Sequence, residues 1–205
     1  MGVVLPLLIL GAGLYLVFWV LVPLGRGALY EPSSPDKTEL MAELAGITPG
    51  TPTADLGSGD GRVVIAMARR GAEAHGYEVN PFLVLRARRN IRRAGLQDRA
   101  FIHLQSFWSA DLSPYRVITV FQVGYIMGRL ERKALHELGR GSRVISHHWE
   151  FPTLRPETER YDVFVYRIGV AGPTDPGLRD AKARRGSAAQ PPAGGRAGPS
   201  TGRRT

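Results

Sequence analysis

The chain contains no cysteine among its 205 residues, which excludes a disulfide framework, a thiolate metal site and a cysteine nucleophile. Histidine is scarce and scattered, five in all, so no metal-ligand pattern forms and no metal is expected. Aromatic residues make up 8% of the chain and none interleaves with the arginines crowded at 86, 88, 89, 92 and 93. A stacking platform for single-stranded nucleic acid is therefore missing, and no nucleic-acid partner is expected. Those arginines remain compatible with a solvated helix face or with contact to phospholipid head groups. Charge is absent altogether from Met1 to Gly25.

What the first segment does contain is a run of apolar residues from Val3 to Leu24, and about 20 such residues suffice for a helix to span a bilayer core. A cleaved secretory signal is the alternative, but no basic residue precedes the run and the run exceeds the usual apolar region of about 7 to 15 residues. We therefore expect a single transmembrane anchor over 1–25. Arg26 and Lys37 follow the run, which places the rest of the chain in the cytoplasm, or in the mitochondrial matrix of a eukaryotic source. At the other end, from Ala171 onward, seven Lys and Arg stand against Asp175 and Asp180 in a Gly, Pro, Ala and Ser background, carrying five of the nine net positive charges. A disordered basic tail over 171–205 is expected, adding about 1 kcal/mol of attraction per residue held near an anionic membrane.

Between these ends, strand-like runs alternate with amphipathic segments, the pattern of a parallel sheet covered by helices. Strands are expected at Thr53 to Leu56, Ala74 to Val79, Ala100 to Leu104, Val117 to Gln122, Arg143 to His148 and Asp162 to Ile168. Helices are expected at Lys37 to Ala45, Arg62 to Arg70, Pro81 to Ala94 and Leu130 to Leu138. Asn80 followed by Pro81 is a strong helix start. The segment Phe151 to Arg160 is too short to place a seventh strand.

The most informative turn is Asp55-Leu56-Gly57-Ser58-Gly59-Asp60-Gly61, lying between a short strand and the apolar helix that begins near Val63. Such a turn brings bare backbone close to a ligand and points helix N–H groups at it. Arg62 stands where the dinucleotide fingerprint needs its third glycine, and no Walker lysine follows, so neither the dehydrogenase nor the phosphoryl-transfer reading fits. Glu78, 21 residues after Gly57 at the end of the next strand, is placed to accept hydrogen bonds from ribose hydroxyls.

The pattern D-x-G-x-G-x-G resembles the first motif of class I methyltransferases. With Tyr30-Glu31-Pro32-Ser33-Ser34 before it, and Gly76-Tyr77-Glu78-Val79-Asn80-Pro81 and Gly141-Ser142-Arg143-Val144-Ile145-Ser146 after it, the chain from about Tyr30 to Gly169 resembles one branch of them. These are the lysine methyltransferases of the adenine nucleotide translocase and the ATP synthase c-subunit, with their archaeal protein-lysine methyltransferase relatives. The resemblance implies an α/β, Rossmann-like three-layer sandwich with a mostly parallel sheet over 51–170, preceded by a cofactor-closing segment and helix over 26–50. It implies S-adenosylmethionine as cofactor. Tyr30 and Ser33 would close over its methionine end, and Asp55, Gly57 and Gly59 would line it, with Asp60 and Gly61 completing the turn. Glu78 and Asn80 would hold the ribose, and Ser106 and Phe107 would flank the adenine, although many relatives carry an acidic residue where Ser106 stands.

Methyl transfer from a sulfonium asks chiefly for in-line alignment, but a lysine acceptor, with a free pKa of about 10.4, must first lose its proton. Gln122, Tyr125, His147 and Glu150, at expected strand ends, are the candidates to assist. Gln122-Val123-Gly124-Tyr125 is not the Asn-Pro-Pro-Tyr of amide and adenine N-methyltransferases. The expected partner is a membrane-embedded or membrane-near protein. A small-molecule or phospholipid methyltransferase and a catalytically silent scaffold are the alternatives.

Overall fold

Val117-Ile118-Thr119-Val120 is apolar on both faces save for one threonine, as a strand covered on both sides must be. In the computed structural model of the chain it is buried along its whole length, as strand β4 (Val117–Val120). The structure describes residues 34–169 together with Val4, Pro6, Ile9, Leu10, Gly11 and Gly13. Apart from those isolated positions, the expected anchor over 1–25 lies outside the described residues, as do Tyr30, Ser33 and the tail from 171. Among the described residues no helix is long and apolar enough to cross a membrane.

Seven strands form one sheet in the order β3-β2-β1-β4-β5-β7-β6. They are β1 (Pro52–Leu56), β2 (Glu73–Glu78), β3 (Ala100–Leu104), β4, β5 (Arg143–His147), β6 (Thr158–Arg160) and β7 (Val163–Arg167). The first five in this order run parallel, and β7 is antiparallel to both β5 and β6. The mostly parallel α/β sandwich expected from the sequence is thus present. The segment Phe151 to Arg160 does hold a seventh strand, contrary to expectation. β6 has three exposed residues on the sheet edge and so carries no apolar alternation by which to find it.

Helices α1 (Pro35–Leu44), α2 (Arg62–Arg69) and α3 (Pro81–Ala94) cover one face, and α4 (Gly124–Glu137) covers the other. Under α2 and α3 lie Val63, Val64, Met67, Val84, Ala87, Ile91 and Ile102, while Met41 of α1 meets Val117, Ile145 and Val165. Opposite them, Ile126, Met127, Leu130 and Ala134 of α4 pack on Leu56, Ile118, Val120, Phe164 and Tyr166. That stripe explains why α4 begins at Gly124 and not at Leu130: burial of Ile126 and Met127 outweighs the cost of Gly124 and Gly128, about 1 kcal/mol each. No helix bridges β3 and β4. On that side the loop residues Phe107, Leu112 and Tyr115 close the core.

Candidate functional site

The parallel strands deliver their C-terminal ends to one edge of the sheet, where β1, β2, β4 and β5 stop beside one another. After Asp55 and Leu56 the chain turns at Gly57, whose φ of 87° is left-handed. That conformation favours glycine, and a side chain there would also push aside the Gln122 amide. Gln122 Nε2 donates to Leu56 O at 2.9 Å, and the N–H groups of Gly57 and Ser58 both donate to Tyr77 O, at 2.9 and 3.0 Å.

Glu78 organises the turn from the neighbouring strand. Its Oε2 accepts from Gly59 N at 3.0 Å, and its Oε1 accepts from the N–H groups of Val79 and Asn80, both at 2.8 Å. Each carboxylate oxygen has two lone pairs, so Oε2, with one backbone donor, keeps capacity for a hydroxyl. Asp60 and Gly61 have structural tasks: Asp60 takes a two-pronged bond from Arg62 at 2.9 and 2.8 Å, its carbonyl accepts from Asn90 of α3, and Gly61 is the left-handed N-cap of α2. Asn80 caps α3, its Oδ1 accepting from Phe82 N and Leu83 N.

Asp55 is buried, and Thr119 Oγ1 donates to its Oδ1 at 2.7 Å. Burial pushes its pKa up to about 7; the Thr119 bond opposes that rise, and the nearby Glu78 and Asp60 add to it. Thr119 is not among the expected site residues; its one signal in the sequence is a lone hydroxyl inside the apolar run of β4. Ser106 sits beyond β3 and accepts from Trp108 N at 3.3 Å. Phe107 is turned into the core beside Trp108, ring centroids 4.7 Å apart.

The four acid-base candidates lie at the ends of β4 and β5. Gln122 is buried against the glycine turn and Tyr125 is exposed at the start of α4. The His147 ring lies 4.4 Å from that of Phe121, and Glu150 is exposed. Aromatic neighbours that no sequence motif marks complete this end. Trp149 rests over Gly124, where an added Cβ would lie 2.7 Å from its ring, and its ring is edge-on to His148 at 5.1 Å. Among the described residues three non-glycine positions have positive φ, His148, Tyr161 and Asp162, and all belong here, where His148 N donates to Asp162 O at 2.7 Å. Lys37 of α1 donates to Tyr161 O, tying the segment that follows Ser33 to the same corner. Strained backbone of this kind persists where packing over-determines it, commonly at functional sites.

The residues fit a cationic nucleoside cofactor. Three buried carboxylates meet at the turn; Arg62 neutralises Asp60, and Asp55 and Glu78 remain to face positive charge, which a phosphate group would not tolerate. The Ser58 hydroxyl is buried at the turn without a partner among the described residues, a polar atom to which bound ligand or water would supply a partner. Bound there, S-adenosylmethionine would supply an electrophilic methyl group on a sulfonium that departs as a neutral thioether.

The ANTKMT methyltransferase domain matches residues 55–158. The chain is 34% identical over 155 residues to the mouse lysine N-methyltransferase of the ATP synthase c-subunit, a match that covers 73% of the chain and 62% of that protein. It is 31% identical to a protein-lysine N-methyltransferase of Saccharolobus islandicus over 68% of the chain and 93% of the relative. Among solved structures, an RNA methyltransferase from Salinibacter ruber in complex with S-adenosyl-L-homocysteine superposes with a TM-score of 0.64 at 31% identity, covering 71% of this chain and 98% of that one.

Proposed function

The chain belongs to the ANTKMT family of S-adenosylmethionine-dependent methyltransferases, and from that premise we propose that it methylates the side-chain amine of a lysine in a membrane-embedded or membrane-near protein. The observation that carries the reading is the Glu78 carboxylate gathering Gly59, Val79 and Asn80 beside the buried Asp55. This arrangement suits a cationic cofactor at the same sheet edge where the aromatic corner receives an acceptor. The acceptor nitrogen forms its bond to the methyl carbon as the carbon–sulfur bond breaks, and the proton shed by the amine passes to His147, Glu150 or water. Rings at Tyr125 and Trp149 suit the passage of a lysine stem and ammonium. The apolar run from Val3 to Leu24 supports a single-pass anchor, and Arg26 and Lys37 support a cytoplasmic or matrix-facing domain.

Incubating the full chain with methyl-labelled cofactor and a membrane extract tests the acceptor. Label on lysine in protein digests is expected. Label only in lipid would replace this reading with a phospholipid methyltransferase, and no turnover despite calorimetric cofactor binding would leave a silent scaffold. Label in RNA would favour a second reading, drawn from the Salinibacter neighbour.

A further inference from the structure

Apart from Arg86, the outer face of α3 takes no part in the site just described. Its 14 residues include five arginines and no acid. At 100° per residue, Phe82, Leu85, Arg86, Arg89 and Arg93 fall in one stripe, opposite the buried Val84, Ala87 and Ile91. Phe82 and Leu85 are 62% and 63% exposed. Arg88 is turned away, donating to Ile102 O at 2.8 Å, and Arg86 lies 3.8 Å from an Asp60 already held by Arg62. Among the described residues no ion pair engages Arg89, Arg92 or Arg93. The stripe therefore offers two large apolar side chains in the first two turns of the helix and a ladder of positive charge behind them.

Its position on the fold gives the stripe a direction. The first turn of α3 follows β2 directly, at the C-terminal edge of the parallel strands. Leu104 ends β3 at that edge, Tyr125 and Trp149 follow β4 and β5, and Tyr161 precedes Val163, the partner of His147. In 34–169, six of the eight exposed large hydrophobic residues thus fringe this edge; Phe101 and Leu135 are the others.

We propose that α3 lies by its outer face on an anionic lipid bilayer, with Phe82 and Leu85 entering the head-group boundary and Arg86, Arg89 and Arg93 pairing with lipid phosphates. A basic helix face with adjacent Phe and Leu has the chemistry of an interfacial helix, and charge complementarity selects anionic over neutral lipid, each arginine near the surface contributing about fivefold. Leucine offers no stacking face to a base, so the pair at the helix start suits acyl chains better than RNA. Lying there, α3 holds the end of β2 and the glycine turn bound to it beside the lipid surface; that use of the docking rests on the membrane-near acceptor proposed above.

Because the chain has no cysteine, L85C carries a unique thiol for an environment-sensitive fluorophore. The labelled full chain, reconstituted in phosphatidylcholine vesicles with or without phosphatidylglycerol, is read by quenching with spin-labelled lipid, and L135C on α4 is the control. Quenching at 85 but not at 135, present only with phosphatidylglycerol, is expected. R89Q/R93Q should lower the docked-to-undocked ratio about 25-fold with calorimetric cofactor affinity unchanged. Equal quenching at both positions, indifference to anionic lipid, or RNA shielding a label that lipid leaves unquenched each overturns the proposal. Lysine labelling in extract without quenching at 85 counts against docking alone; quenching without lysine labelling counts against the acceptor reading alone.

Discussion

Asp55 lies inside the protein with one hydroxyl donor, Thr119, and two carboxylates, Glu78 and Asp60, for neighbours. Its pKa, lifted from 3.8 to about 7, makes the folded state bind a proton that the unfolded chain has already released. Its contribution to stability is therefore greatest in acid and declines as pH rises from about 4 to 7, beyond which it is flat. A cationic cofactor favours the ionised form, so its affinity should climb as pH rises through about 7. In D55N both dependences should disappear, and affinity at pH 8 should fall roughly 10- to 100-fold, the worth of a charged hydrogen bond. Calorimetric titration across pH checks this; an unchanged pH profile in D55N would remove Asp55 from cofactor recognition. At this scale the sequence was legible where a residue type is demanded by backbone geometry, as at Gly57, or by its place at a strand end, as at Glu78. The direction in which Phe107 turns is not legible, because it depends on how the loop after β3 packs against α4.

Elements were readable wherever an apolar period survives. The starts of α3 and β3 and the end of β1 stand where the sequence put them, since Asn80 caps and Pro81 opens α3 and the apolar face of each strand is unmistakable. β6 is placed instead by its pairing with β7 and by tertiary bonds that hold the loop before it. Glu131 of α4, itself buried, accepts from Thr153 N at 3.0 Å and Leu154 N at 2.6 Å, Phe151 N donates to the Tyr166 hydroxyl at 3.0 Å, and Glu157 pairs with Arg167. E131A should leave two donors in this partly buried loop unpaired and cost about 1–3 kcal/mol, with E131Q falling between it and the parent. Urea midpoints at constant slope measure the loss. A midpoint shift below about 0.5 kcal/mol would mean that the loop before β6 does not depend on this carboxylate.

Across the whole molecule, a ligand that binds only the folded state stabilises it, by about 2.7 kcal/mol at 100 times its Kd. For a domain of this size that is on the order of 5–10 °C in Tm. S-adenosylmethionine should produce this shift in the parent chain. In E78Q, whose amide sets an NH2 group against backbone donors, the shift should nearly vanish; an undiminished shift would mean that the cofactor is held elsewhere.

The linear order of residues was enough for the fold class, the glycine turn and the family resemblance, because strand period, left-handed turns and a strand-end carboxylate are local demands that particular residues must meet. Folding alone settled which of them share one place. It brought Thr119 against Asp55, Gln122 against Gly57, Trp149 over Gly124, and Lys37 to Tyr161, pairs separated by up to 124 residues. Such pairs are joined by sheet register and crossover connections, and no local pattern records those. The glycine turn that the sequence marked as a ligand site thus became, in three dimensions, a turn shaped by a neighbouring glutamate whose bonds reach across two strands.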